Sequence, residues 1–129
     1  MKSVLIVDDN KLILYALKRV LENSKKYKVY DKDSGRKAIN FLEKNKPDII
    51  LLDLMMSGMD GWDVFKKIKD DKSTKEIPVV FITAASDKVI ADMADDKKIK
   101  KIDLKRTDHI QKPFTFKEVD NKIKKLLGG

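Results

Sequence analysis

Four side chains able to ligate or react stand behind short apolar runs, and a fifth follows a short, weaker strand pattern. Asp8 and Asp9 follow the run 4–7, and Asp53 follows 49–52. Thr83 follows 79–82, and Lys112 follows 109–111. Three gathered carboxylates repel one another unless a cation neutralises them. All-oxygen ligation with few protein ligands suits Mg²⁺, which keeps several of its waters. A carboxylate beside such an ion is a nucleophile toward phosphorus, and the ion offsets the charge that develops on the phosphoryl group. An amine such as Lys112 neutralises one phosphoryl oxygen, and a hydroxyl such as Thr83 donates to another. These residue types therefore point to phosphoryl transfer onto an aspartate.

That chemistry requires the five residues to converge, and the elements around them supply the means. The runs 4–7, 27–30, 49–52, 79–82 and 109–111 read as strands, most of them apolar throughout, as in sheets buried on both faces. Helical spacing separates them. Leu12, Ile13, Ala16, Leu17, Val20 and Leu21 form a first amphipathic stripe, and Ala38, Ile39 and Leu42 a second that begins at Ser34-Gly35 and stops at Pro47. Val64, Phe65 and Ile68 form a third. Residues 89–102 read as a fourth helix plus a lysine-rich stretch. The last begins at Thr115, with Glu118 set for a capping box and Phe116, Val119, Ile123 and Leu126 on its apolar face.

Five strand–helix units in strict alternation predict an α/β fold with a parallel sheet, helices on both faces and right-handed crossovers. Ligands of such sheets bind beyond the carboxyl ends of the strands, at the switch point of the topology. With strand order 2-1-3-4-5, Asp53 ends the central strand, which makes it the best candidate nucleophile.

Composition bounds the remaining possibilities. The chain has 129 residues, the size of one domain, and no internal repeat or linker divides it. It has no cysteine, which excludes disulfide scaffolds and thiolate metal sites, and its single histidine excludes a His-rich site. Apolar residues make up 42% and charged residues 39%, a globular balance. The apolar runs are far too short to cross a membrane, and the first residues carry no signal-peptide core. A cytoplasmic chain is expected. The net charge of +8 raises nucleic-acid binding as a question. Aromatic interleaving and a helix-turn-helix unit are both lacking, so direct binding is not expected.

The motifs, taken together, resemble those of the receiver domains of two-component response regulators, the CheY-like superfamily. The matching residues are Val7-Asp8-Asp9-Asn10, Leu51-Leu52-Asp53-Leu54, Met59-Asp60-Gly61-Trp62, Pro78-Val79-Val80-Phe81-Ile82-Thr83-Ala84 and Lys112-Pro113-Phe114. They cover nearly the whole chain in order, so residues 1–129 are expected to form a single receiver domain. The resemblance implies a doubly wound, flavodoxin-like (βα)5 three-layer sandwich. It implies that Asp53 accepts a phosphoryl group from a phosphohistidine on a sensor histidine kinase or a histidine phosphotransfer protein. It further implies Mg²⁺ held by Asp8, Asp9, Asp53 and the backbone carbonyl of Met55, with Lys112 contacting the phosphoryl group. Thr83 would turn inward to hydrogen-bond that group, shifting the surface of the fourth helix, fifth strand and fifth helix toward an output domain or effector protein. The Lys112–Pro113 bond is expected to be cis. Such a domain catalyses only its own phosphorylation and dephosphorylation and is not a turnover enzyme.

The chain departs from the family pattern in places. Ser57 stands where proline is usual and is expected to loosen its loop slightly. His109 stands where Tyr or Phe commonly couples to Thr83; it fills the space and brings a titratable ring. Thr83 and Lys112 lie 29 positions apart, further than is usual, with the excess near 97–106, which holds six basic residues and one acidic. That segment reads either as a solvated extension of the fourth helix or as a docking patch for an acidic partner on the output face. Met55 and Ala85, at the positions that tune dephosphorylation in the family, orient no water, so a long-lived phosphoryl state is expected. Met55, Met56 and Met59 read as loop and core fillers, Gly58 and Gly61 as turn residues, and Trp62 as either packed or exposed. Two alternatives are a phosphorylation-independent interaction module on the same fold and plain helix capping by Asp8 and Asp9. Capping leaves Asp53, Thr83 and Lys112 unexplained.

Overall fold

The five runs become five strands in the computed structural model of the chain, which describes residues 1–128. The order is β1 (Lys2–Val7), α1 (Lys11–Asn23), β2 (Tyr27–Lys32), α2 (Gly35–Lys44) and β3 (Ile49–Asp53). There follow α3 (Gly61–Asp70), β4 (Val79–Thr83), α4 (Asp87–Asp96), β5 (Thr107–Gln111) and α5 (Phe116–Leu127), with one 3-10 turn (Lys101–Leu104) between α4 and β5. All pairings are parallel and the strand order is β2-β1-β3-β4-β5. This is the parallel sheet with helices on both faces that the alternation predicts, in the three-layer flavodoxin-like form that the resemblance implies.

Strand alternation divides the core in two. Val4, Ile6, Ile49, Leu51, Val80, Ile82 and Ile110 face α1 and α5, meeting Leu14, Leu17, Leu21, Val119 and Ile123. Leu5, Val7, Ile50, Leu52, Val79 and Phe81 face α2, α3 and α4, meeting Ala38, Leu42, Val64, Phe65, Ile68 and Ala94. Every residue of β3 and of β4 is buried. Burial of both faces explains why these strands are apolar runs rather than alternating ones. No helix among the described residues is long and apolar enough to cross a membrane.

Helix starts follow local side-chain chemistry. Asn10, not Asp8 or Asp9, caps α1, accepting from the N–H groups of Leu12 and Ile13. Ser34, Asp60 and Ser86 cap α2, α3 and α4, and Thr115 and Glu118 form the expected capping box on α5.

The fourth helix does not extend into the lysine-rich stretch. It ends at Asp96, and Lys98 takes a left-handed conformation with φ 58°. The N–H groups of Lys98 and Ile99 close the end onto the carbonyls of Asp95 and Ala94. The last turn carries acids and no base, which opposes the helix dipole and favours termination. The extra residues are thus a turn and a 3-10 segment rather than a helical extension. Trp62 is fully buried, its ring against Phe65 and Phe81.

Candidate functional site

The chain enters β1 at the middle of the sheet, adds β2 on one side, then crosses to β3 on the other. Loops leaving β1 and β3 therefore diverge and open a crevice at the carboxyl edge. Asp8 and Asp9 follow β1 there, and Asp53 ends β3. Asp8 is fully buried, Asp53 is 3% exposed and Asp9 is exposed. Each offers a carboxylate oxygen to a cluster whose atoms lie within 4.8 Å of one another. Two buried acids and one open to solvent form a hard-oxygen donor set with access from outside, which fits a small divalent cation.

Lys112 reaches the same point from the end of β5. Its Nζ lies 2.8 Å from Asp8 Oδ2 and 3.6 Å from Asp53 Oδ2. Its own backbone N–H donates to the Thr83 carbonyl at 2.7 Å, joining the ends of β4 and β5. The Lys112–Pro113 bond is cis. Thr83 is buried, one residue beyond Ile82, the register partner of Asp53. Its Oγ1 accepts from the Ala85 N–H at 3.1 Å, which leaves the hydroxyl proton available to another acceptor. Asp8, Asp9, Asp53 and Lys112 thus lie side by side, and Thr83 adjoins them through the hydrogen bond that its carbonyl accepts from the Lys112 N–H.

Burial is the main reason that the Asp53 carboxyl is pushed up to about 6. The Met55 N–H, donating to Oδ1 at 3.1 Å, and the Lys112 cation oppose that rise, while the Asp8 carboxylate adds to it. A desolvated carboxylate beside another carboxylate is an electrostatically costly arrangement, and such arrangements concentrate at functional sites. Asp8 is held by the N–H of Asn10, donating to its Oδ1 at 2.9 Å.

Ser57 corrects an expectation. Far from loosening the loop, its N–H and hydroxyl both donate to Asp9 Oδ2, at 3.1 and 3.2 Å. A proline here would have neither donor. Gly61 is a second correction. Turn freedom belongs to Gly58, whose φ is 74°, whereas Gly61 is small because the backbone behind Asp53 runs against it. A Cβ at position 61 would overlap the Asp53 carbonyl and sit 2.6 Å from Leu54 Cα.

Sequence reading missed one link entirely. Lys97, at the end of α4, pairs with Asp60 at 3.2 Å and Asp63 at 3.7 Å. Asp60 caps α3 and adjoins Gly61, so this ion pair ties the end of α4 to the loop that follows Asp53. The only sequence signal was an acidic residue before Gly61. His109 on β5 is half-buried, and its Nε2 lies 2.5 Å from Oδ1 of Asp87, the first residue of α4. It shares a sheet face with Phe81, its register partner, and with Thr83.

The model of the response regulator receiver domain matches residues 4–124. The transcriptional regulatory protein YvrH of Bacillus subtilis is 35% identical over 97% of this chain and 48% of its own length. A histidine kinase of Formosa agariphila is 30% identical over 97% of this chain, a span that is 8% of the kinase. The chain thus spans about half of the first relative and a small part of the second. Among solved structures, the signal receiver domain of a signal transduction histidine kinase from Syntrophus aciditrophicus superposes with a TM-score of 0.83. It is 29% identical, and the match covers 100% of this chain and 92% of that one. With the fold, the acidic crevice and the lysine at the end of β5 in hand, the chain belongs to the response regulator receiver domains of two-component signalling.

Proposed function

We propose that residues 1–129 act as one phosphoacceptor receiver domain, switched by phosphorylation of Asp53. The observation that carries this reading is the desolvated Asp53 carboxylate at the end of the central strand, with Lys112 3.6 Å away. An oxygen of Asp53 attacks the phosphorus of a phosphohistidine on a sensor kinase or phosphotransfer protein. An O–P bond forms as the P–N bond breaks, and the imidazole leaves with the electron pair and takes a proton from solvent. A pKa of about 6 keeps Asp53 mostly ionised at neutral pH and therefore nucleophilic.

Asp8, Asp9, Asp53 and the Met55 carbonyl would hold Mg²⁺. Bound there, the ion supplies positive charge against the carboxylates and the incoming phosphoryl oxygens. Lys112 moves its ammonium from Asp8 toward the phosphoryl group, a short shift for a flexible side chain. Thr83 donates its free hydroxyl proton to a phosphoryl oxygen. His109, on the same sheet face and paired with Asp87, carries that movement to the start of α4, and the surface of α4, β5 and α5 changes for an output domain or effector. A cytoplasmic location, where phosphohistidine donors are made, follows from this role.

The test is incubation with a small phosphodonor and Mg²⁺, read by intact mass. One added phosphoryl group, absent in Asp53→Asn and in chelator, supports the reading. No addition to folded, Mg²⁺-binding protein would overturn it in favour of a phosphorylation-independent interaction module.

A further inference from the structure

The segment after α4 is an ordered turn followed by a 3-10 piece. Lys98 opens it and Arg106 closes it, both left-handed at φ 58°. A side chain with a Cβ in that conformation costs about 1–2 kcal/mol, and neither position uses glycine. Between them Ile99 and Leu104 pack onto the core cluster beneath α3 and α4, so the segment is anchored rather than loose. Lys97 is consumed by Asp60 and Asp63. Lys98, Lys100, Lys101, Lys105 and Arg106 have no carboxylate within ion-pair distance among the described residues.

The segment does not stand on the face of α4, β5 and α5 where the sequence put it; it leans toward α3. Two adjoining clefts, about 210 and 370 Å³, separate it from α3 and the loop before β4, and both are floored by Lys69 and Asp103. Lys66, Lys98 and Lys100 rim one, and Lys75, Lys105 and Arg106 rim the other. Ile102 projects from the middle of this basic surface, 60% exposed. Burial already lowers the Lys69 ammonium, so a further carboxylate nearby would be welcome.

We infer that this insertion is a docking surface for an acidic segment of a partner protein that also carries an apolar side chain. The rims supply the charge complementarity that steers encounter, and Ile102 supplies an apolar anchor. Three features disfavour nucleic acid. Asp70, Glu76 and Asp103 interrupt the basic lining, so the positive charge is divided into short stretches that suit a few spaced carboxylates rather than a continuous phosphate backbone. No aromatic ring stands exposed among the lysines for base stacking. The projecting element is a single 3-10 turn, too short to fill a major groove. Docking here does not rest on Asp53, since the surface is formed without phosphorylation.

The test is selection from a random displayed-peptide library on the unphosphorylated full chain. Selected peptides are then measured by fluorescence anisotropy, beside a DNA duplex and a single-stranded oligonucleotide. The variant Lys98→Glu/Lys100→Glu/Lys101→Glu is compared with Lys2→Glu/Lys28→Glu/Lys44→Glu, which changes net charge equally elsewhere. The expected peptides are acidic with an apolar residue. They lose about tenfold or more in affinity with the first variant and about twofold with the second, and lose about threefold or more with Ile102→Ser. Circular dichroism confirms that each variant is folded. Equal losses in both triple variants, selected peptides without acidic residues, no peptide that depends on the insertion, or tighter insertion-dependent binding of either oligonucleotide would each overturn the inference.

Discussion

Replacing Asp53 by Asn should make the metal-free protein more stable at neutral pH, although it removes the residue proposed to react. The Asp53 carboxyl is raised from 3.8 to about 6, chiefly by burial. An acid whose folded-state pKa lies above its unfolded value binds its proton more tightly when folded. Its contribution is therefore favourable below about pH 4 and is lost as pH rises through about 6. A shift of about two units corresponds to about 3 kcal/mol of strain in the ionised folded state. Asn keeps the acceptor for the Met55 N–H and relieves repulsion with Asp8, but it loses the attraction of Lys112 at 3.6 Å. The expected net gain for Asp53→Asn is thus about 1–3 kcal/mol at pH 8, shrinking toward zero near pH 4. Urea unfolding with chelator at several pH values measures it, with the slope checked for constancy. Saturating Mg²⁺ binds only the folded state and should stabilise the wild type more than the variant, narrowing the gap. Metal-free Asp53→Asn that is less stable than wild type at pH 8 would refute the view that burial of this charge is costly.

Three further outcomes follow from the geometry. Gly61→Ala forces a methyl group into the backbone behind Asp53 and should cost about 3 kcal/mol or more in chemical denaturation; a variant within 0.5 kcal/mol of wild type, about the noise of a surface change, would contradict the contact. Tyr27 donates to the buried Asp120 at 2.5 Å, and Lys26 and Lys124 pair with the same carboxylate. Burial raises the Asp120 carboxyl, but these partners outweigh it and hold the group below its usual value. The contribution is present above about pH 4 and is lost as pH falls through the lowered folded value. Tyr27→Phe should cost about 1–2 kcal/mol at pH 7, and urea melts in the acid range should show that loss diminishing. Finally, neither Met55 nor Ala85 can orient a water for attack on an aspartyl phosphate, so the phosphoryl group should persist for many minutes; decay within seconds, followed by intact mass after removal of the donor, would contradict this.

Much of the site was legible because most of its residues stand at the end of an apolar run. A strand buried on both faces must be apolar throughout, so its first polar residue marks the carboxyl edge of the sheet. That rule located Asp8, Asp53 and Thr83 by local pattern, and strict alternation of strands and helices then supplied the parallel sheet and its crevice. That rule does not reach Lys112, because β5 is largely polar and only partly buried; the residue was placed instead by its position just after the short fifth strand and before Pro113. The capping box at Thr115 and Glu118 was equally local.

What the sequence did not reveal depends on groups that meet through space. Ser57 and Asp9 are 48 positions apart, and nothing in their neighbourhoods says that one donates twice to the other. The tie from Lys97 to Asp60 depends on where α4 stops, and α4 stops at a lysine in a left-handed turn rather than at the glycine a reader looks for. The small size of Gly61 is set by the backbone of β3 passing behind it, not by its own loop. The raised carboxyl of Asp53 likewise comes from the protein atoms that exclude water around it. Periodicity determines which face of each element is buried; only the packed elements decide which distant atoms become neighbours, and desolvation and ion pairing are properties of those neighbours.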